Sequence, residues 1–230
     1  MEQEYKLIRS RKRRKTMSII VNREGQVVVR VPYGIPLSEI DVFVQQKRAW
    51  LNRKITTFKA RAVPPVPDFF LPGKQVRYLG HVYPLYMDQR ADREAKDALH
   101  WSGEAFRVIC REPAAGKILL SRWYVRQAKT FFPGRMAQHA ERMGVSPKNL
   151  RISSARFRWG SCSTRQCISL SWRLMMAPVA VIDSVMIHEL AHLREMNHSS
   201  RFWRFVRTYC PEYDRHKRWL NTEGRYLMEF

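Results

Sequence analysis

Residues 178–198 read PVAVIDSVMIHELAHLREMNH, and this stretch decides the fold. Val181, Val185 and the run from Ile187 to Leu190 supply the buried side of one helix. Pro178 stands near its start, where a missing N–H is no loss. Residues four apart share a helix face, so His188 and His192 point the same way, at a separation that suits two ligands of one tetrahedral zinc. Glu189 lies one step round, within reach of a water in the open fourth position. That is the H-E-x-x-H arrangement, with the glutamate as general base. A third ligand is required. His198 would point off the metal-facing side of a continuous helix, so the chain must turn first. Asn197, which tolerates left-handed backbone, is the expected end of the helix.

The duller reading is a soluble helix whose histidines bind nothing. It has to explain three imidazoles and a carboxylate within 188–198, which hold three of the seven histidines in the chain. The metal reading makes His188, His192 and His198 the ligands and Glu189 the group that takes a proton from a zinc-held water and returns it to the leaving amine. Only neutral imidazole binds metal, so activity is expected to fall in acid. His81, His100 and His139 read as structural or exposed, and His216, in a charged stretch, as solvated.

Immediately upstream, residues 155–174 read ARFRWGSCSTRQCISLSWRL. Two strands are expected, over 150–163 and 167–178, joined by a turn around Ser163 to Gln166. An edge strand beside the helix of a zinc peptidase binds substrate as an added strand. Arg156, Arg158, Trp159, Gly160 and Ser161 are therefore candidate substrate-binding residues. The competing assignment puts Trp159 in the core and makes Gly160 a bulge; Trp172 is assigned to the core. Cys162 and Cys167, with no second pair, are weak evidence for another metal and read as buried thiols.

Farther out, TMSIIVN and QVVVRVP form a β-hairpin around a REG turn. Residues 36–55 form a helix capped by Ser38. The VPPVP segment at 63–67 is a stiff linker. A second hairpin turns near Leu79-Gly80, and a further strand pair ends at Cys110. From Lys117 a helix runs through Pro133-Gly134, where it is interrupted or kinked, to Gly144. Phe202, Trp203, Phe205 and Val206 pack one face of a later helix that Pro211 stops. The expected fold is α+β: an N-terminal β-rich region with one helix and a basic arm over 1–115, then a helix–sheet–helix catalytic domain carrying the metal motif over 116–230.

Forty-two Lys and Arg against twenty Asp and Glu give a net charge of +22. Such a field attracts polyanions, so DNA, RNA or nucleotides are possible partners of the basic surface. The block from Arg9 to Lys15 reads as a solvated arm. The chain lacks a secretory h-region and a membrane-length apolar run, so a cytoplasmic location, no membrane partner and free thiols at all four cysteines are expected.

The segments RFRWGSCS, ISLSWRL and HELAHLREMNHSSRFW, in that order, together with RRKTMSIIVNREGQVVVRVP and FVQQKRAWL, resemble the YgjP-like metallopeptidases, relatives of the SprT and WLM zinc proteases. The likeness spans roughly residues 10–220. It implies a zincin- or gluzincin-like catalytic domain behind the N-terminal β-rich region, a zinc cofactor held by His188, His192 and His198, Glu189 as catalytic acid/base, and a protein or peptide substrate. The histidine spacing is also similar to that of metzincins, but Glu195 stands where those enzymes carry a turn glycine and no Met-turn follows. Ser171 stands where the family is expected to have Asn. Besides a peptidase working on nucleic-acid-associated proteins, two functions compete. One is a metal-dependent nucleoside triphosphate pyrophosphatase or phosphohydrolase with Arg156 and Arg158 as phosphate clamps. The other is a nucleic-acid binder with a structural zinc. A Gly-rich phosphate loop and a magnesium carboxylate cluster are both missing, which counts against the first. Glu189, a base beside an open coordination position, counts against the second.

Overall fold

The structure, a computed structural model, describes residues 5–11, 16–21, 27–52, 55, 75–89, 97–228 and 230. The chain divides into two compact units, Met1–Pro64 and Pro65–Phe230. The architecture is α+β throughout, as the patterning implies.

In the first unit, β1 (Tyr5–Ser10) lies parallel to β3 (Val27–Pro32), and β2 (Ser18–Val21) lies antiparallel to β3 on its other side. Alternation along β3 buries Val27, Val29 and Val31 against Ile40 of α1 (Leu37–Gln46) and Leu51. The β2–β3 hairpin matches its sequence signature, whereas β1 went unread. The charge of its Arg9 masks the strand, but the guanidinium donates to the carbonyls of Tyr33 and Ile35, both at 2.7 Å, while Tyr5 turns inward. So Arg9 and Ser10 are strand residues rather than part of a solvated arm. Pro36, not Ser38, occupies the N-cap of α1 and makes no side-chain cap bond. The REG turn, the VPPVP linker and most of the basic block fall outside the described residues.

The second unit opens with a four-stranded sheet in the order β4-β5-β7-β6: Gln75–Tyr78, His81–Gln89, Phe106–Cys110 and Ala98–Trp101. Val76, Leu85, Phe106, Val108 and Cys110 share one core with Trp123, Tyr124, Ala128 and Phe132 of α2 (Pro113–Met143). This common core is why the compact unit begins at Pro65, ahead of the 115/116 boundary expected from composition. Helix α2 starts at Pro113, earlier than Lys117, because proline suits the first helical turn. It passes through Pro133 unbroken, its apolar face packed on both sides of the proline, and ends at Gly144 in the left-handed conformation, φ 61°.

A three-stranded sheet follows in the order β8-β10-β9: Asn149–Ser153, Cys167–Ser171 and Gly160–Cys162. The first strand expected here is in fact two. β8 runs parallel to β10, then an excursion over 154–159 brings β9 back antiparallel on the other side. Ser171, fully buried, anchors that excursion by donating to the Ala155 carbonyl at 3.1 Å. A 3-10 turn over Trp172–Met176 leads into α3 (Val179–Ala191), which is buried on nearly every side and packs on α2, α4 (Ser200–Tyr209), α5 (Tyr213–Asn221) and β9. A short α6 (Gly224–Leu227) follows. The tip of the β4–β5 hairpin docks on the entry to α3. Leu79 N–H donates to Met175 O at 2.7 Å, and a Cβ on Gly80 (φ 87°) would come 2.7 Å from Pro178 Cα. Glycine is required there for both backbone angle and space.

Candidate metal centre and active site

Helix α3 ends sooner than the sequence suggests. His192 is its C-cap, and Leu193 and Arg194 turn by hydrogen bonds to the carbonyls of Leu190 and Ala191. That early turn carries His198 back to the other two imidazoles. One ring nitrogen from each of His188, His192 and His198 forms a set within 4.8 Å of one another. His188 Nε2 and His198 Nε2 stand 3.1 Å apart. Two ligands of a tetrahedral zinc at about 2.0–2.1 Å from the ion lie about 3.3 Å apart, so the separation suits one shared cation.

The outer nitrogens agree. His192 Nδ1 is 3.1 Å from the Glu195 carbonyl, which can only accept, so Nδ1 carries the proton and Nε2 keeps its lone pair. His188 Nδ1 is 2.9 Å from the Tyr213 hydroxyl. Such partners fix ring orientation and tautomer in metal sites. The rings are also packed: Phe202 stacks on His192 at 4.6 Å between centroids, and Trp203 on His198 at 5.4 Å. Burial, reinforced by the neighbouring His192, His198 and Lys217, pulls the His188 pKa down to about 3. Burial, with the nearby His198, also lowers His192, against hydrogen bonds to backbone carbonyls that raise it. Both imidazoles are therefore held neutral, the form that ligates. A donor set of three imidazoles suits a divalent transition-metal ion.

Glu189 is 6% exposed. Burial lifts its carboxyl to about 7, partly offset by the positive charge of Arg158. Its partner surface is β9: a Cβ on Gly160 would meet Glu189 Oε1 at 2.6 Å and Cγ at 2.7 Å. Gly160 is thus neither a bulge nor a spacer. It lets a strand backbone lie flat against the carboxylate.

The other expected substrate residues divide. Trp159 and Gly160 line a cavity of about 210 Å³ together with His188 and Glu189. Arg158 is exposed but close enough to Glu189 to act on it electrostatically. Arg156 is exposed on the same excursion, and Ser161, opposite Ser169 in the sheet, is half-buried; neither lines the cavity. Cys162 and Cys167 are free thiols, both half-buried. Cys162 pairs with Ile168, which puts Cys167 on the opposite face and removes any shared metal. Cys110 and Cys210 are also free thiols.

The sequence reading missed helix α5. Tyr213, Lys217, Leu220 and Asn221 all line the cavity. Their spacing of four, seven and eight is a helical stripe that could have been read, but the surrounding charges of DRHKR obscured it. His216 is not solvated: its side chain is 13% exposed, with Nδ1 3.6 Å from Cys210 Sγ. His139 lies 3.0 Å from Asp183, while His81 and His100 are exposed.

The chain is similar to known proteins as follows. The description "YgjP-like, metallopeptidase domain" matches residues 15–223. Among solved structures, the crystal structure of the metallopeptidase zymogen of Pyrococcus abyssi abylysin is similar at 24% identity with a TM-score of 0.37, over 40% of this chain and 94% of that one. None of the curated proteins matches. With three imidazoles converging beside a buried glutamate and a match along most of its length, the chain belongs to the YgjP-like metallopeptidase family.

Proposed function

We propose that the chain, a metal-dependent peptidase by family, is a zinc enzyme in which His188, His192 and His198 hold the ion and Glu189 is the catalytic acid/base. A zinc ion in such a site supplies an acidified water and polarises the carbonyl to be attacked. Everything else falls to the chain's own groups. Burial gives the Glu189 carboxylate a basicity near neutrality, which suits a group that must both take and return a proton. Gly160 sets the strand backbone against that carboxylate. Among the described residues β9 has β10 as its neighbour on one side and none on the other, so its free edge can accept an extended peptide as an added strand. With its Nε2 on the ion, His188 would donate Nδ1–H to the Tyr213 oxygen 2.9 Å away, which leaves the phenol proton uncommitted to that ring. Arg158 adds positive charge beside Glu189.

The observation that carries this reading is the convergence of the three ring nitrogens beside a buried, solvent-starved carboxylate. The net charge of +22 suits protein substrates associated with nucleic acid, in a cytoplasmic setting. Glu189→Gln tests it: the variant keeps one zinc per chain by mass spectrometry and loses peptide hydrolysis. Loss of nucleoside triphosphate turnover instead, with no peptide cleaved by either protein, refutes the peptidase reading.

A further inference from the structure

We propose that the cavity beside Glu189 is a specificity pocket that takes a carboxylate of the substrate, with Lys217 as its recognition residue. This rests on the peptidase reading above. The cavity of about 210 Å³ is on the scale of one side chain, and it opens directly onto Glu189 and His188. Its walls are apolar: Trp159, Val185 and Leu220. Its only cationic lining residue is Lys217, with the amide of Asn221 beside it, one helical turn on.

Lys217 has an unspent charge. The acidic side chains nearest in sequence are taken by arginines: Glu212 by Arg215 at 3.1 Å, and Asp214 by Arg207 at 3.2 Å. Among the described residues no carboxylate lies within 4.0 Å of the Lys217 ammonium. It sits instead over the Trp203 ring, 5.2 Å from its centroid. Lys217 is exposed, and the ring face offers its ammonium a cation–π contact but no carboxylate. An apolar pocket with a single cation and an amide at the mouth fits an aliphatic stem ending in a carboxylate. A polyphosphate would call for several converging cations. The carboxylate has two sources, an acidic side chain next to the scissile bond or the α-carboxylate of a peptide end.

The test uses zinc-loaded full-length protein and matched peptides with Glu, Gln or Lys scanned across the positions flanking the cleaved bond, each with a free and an amidated C-terminus. At one position the wild-type kcat/KM for Glu exceeds that for Gln by roughly fivefold. If the source is the chain end, the free acid exceeds the amide by the same factor. Lys217→Ala abolishes that ratio, Lys217→Arg retains it, and Lys217→Glu inverts it toward Lys. Ratios that are the same in all four proteins overturn the proposal. If the wild type cleaves none of the peptides, the peptidase reading fails separately. Equilibrium binding of the same Glu and Gln peptides to zinc-loaded Glu189→Gln protein then decides the pocket: a Glu preference that Lys217→Ala removes supports it, and equal binding overturns it.

Discussion

Replacing Glu189 by Gln should stabilise the metal-free protein in a strongly pH-dependent way. The carboxyl is 6% exposed and its pKa rises from 4.5 to about 7, with burial as the main cause. A group whose folded pKa is raised in this direction holds its proton more tightly when folded. The native state therefore binds more protons than the unfolded chain between pH 4.5 and 7, and stability falls as pH rises through that window. A rise of about 2.5 at about 1.4 kcal/mol each makes the penalty about 3 kcal/mol above pH 7. Gln is close in shape and cannot ionise, so the variant escapes it. In chelator-treated protein, Glu189→Gln should melt roughly 6–12 °C above the wild type at pH 8, for a folding unit of about 150–250 residues, and within about 2 °C at pH 4. Zinc should shrink the pH 8 gap, because a nearby dication favours the ionised carboxylate. Calorimetric melts at the two pH values, with and without zinc, make the measurement. A gap that does not change with pH, or a variant less stable at pH 8, would refute the claim that burial dominates this carboxyl.

Tyr213→Phe removes the hydroxyl paired with His188 Nδ1, and zinc affinity should weaken roughly 10–100-fold in a chelator competition. His198→Ala should lower bound zinc well below one per chain while leaving the fold intact, since this ring is exposed; metal analysis and circular dichroism report the two outcomes. Gly160→Ala forces a methyl to within 2.6 Å of Glu189 Oε1, so peptide cleavage should fall at least tenfold with zinc content unchanged. Asp183 is paired with Arg135 and His139, whose hydrogen bonds and charges hold it below its usual 3.8 despite burial. Its contribution is present above the unfolded value and lost as pH falls through the lower folded value. Asp183→Asn should thus cost about 1–3 kcal/mol in denaturant melts at pH 7, a gap that closes below about pH 4.

The placing of His188, Glu189 and His192 was legible because it is local. His188, Glu189 and His192 need only helical spacing to meet. His198 was legible only as a requirement, since the bend that returns it begins at His192, five residues before the asparagine that seemed to mark it. Hairpins announced by alternating apolar residues and by Leu79-Gly80 were found. Strand β1 was not, because the arginine it carries is satisfied by distant carbonyls that no local pattern reveals. The split of one expected strand into β8 and β9 depends on a parallel pairing with β10, a long-range contact that periodicity does not encode. Helix α5 is hidden for the opposite reason: Asp214, Arg215 and Arg218 face outward and mask the stripe that faces the site.

The seat of Gly80 on Pro178 has a mechanical consequence. The helix that carries His188, Glu189 and His192 begins at a proline clamped by a turn from the neighbouring sheet, where a Cβ added at Gly80 would come within 2.7 Å of Pro178 Cα. Damage to that sheet, whose strands carry none of His188, His192 and His198, would reach the proposed metal site by displacing the helix from its root. Loss of bound ion would then be the first symptom of a fault located elsewhere.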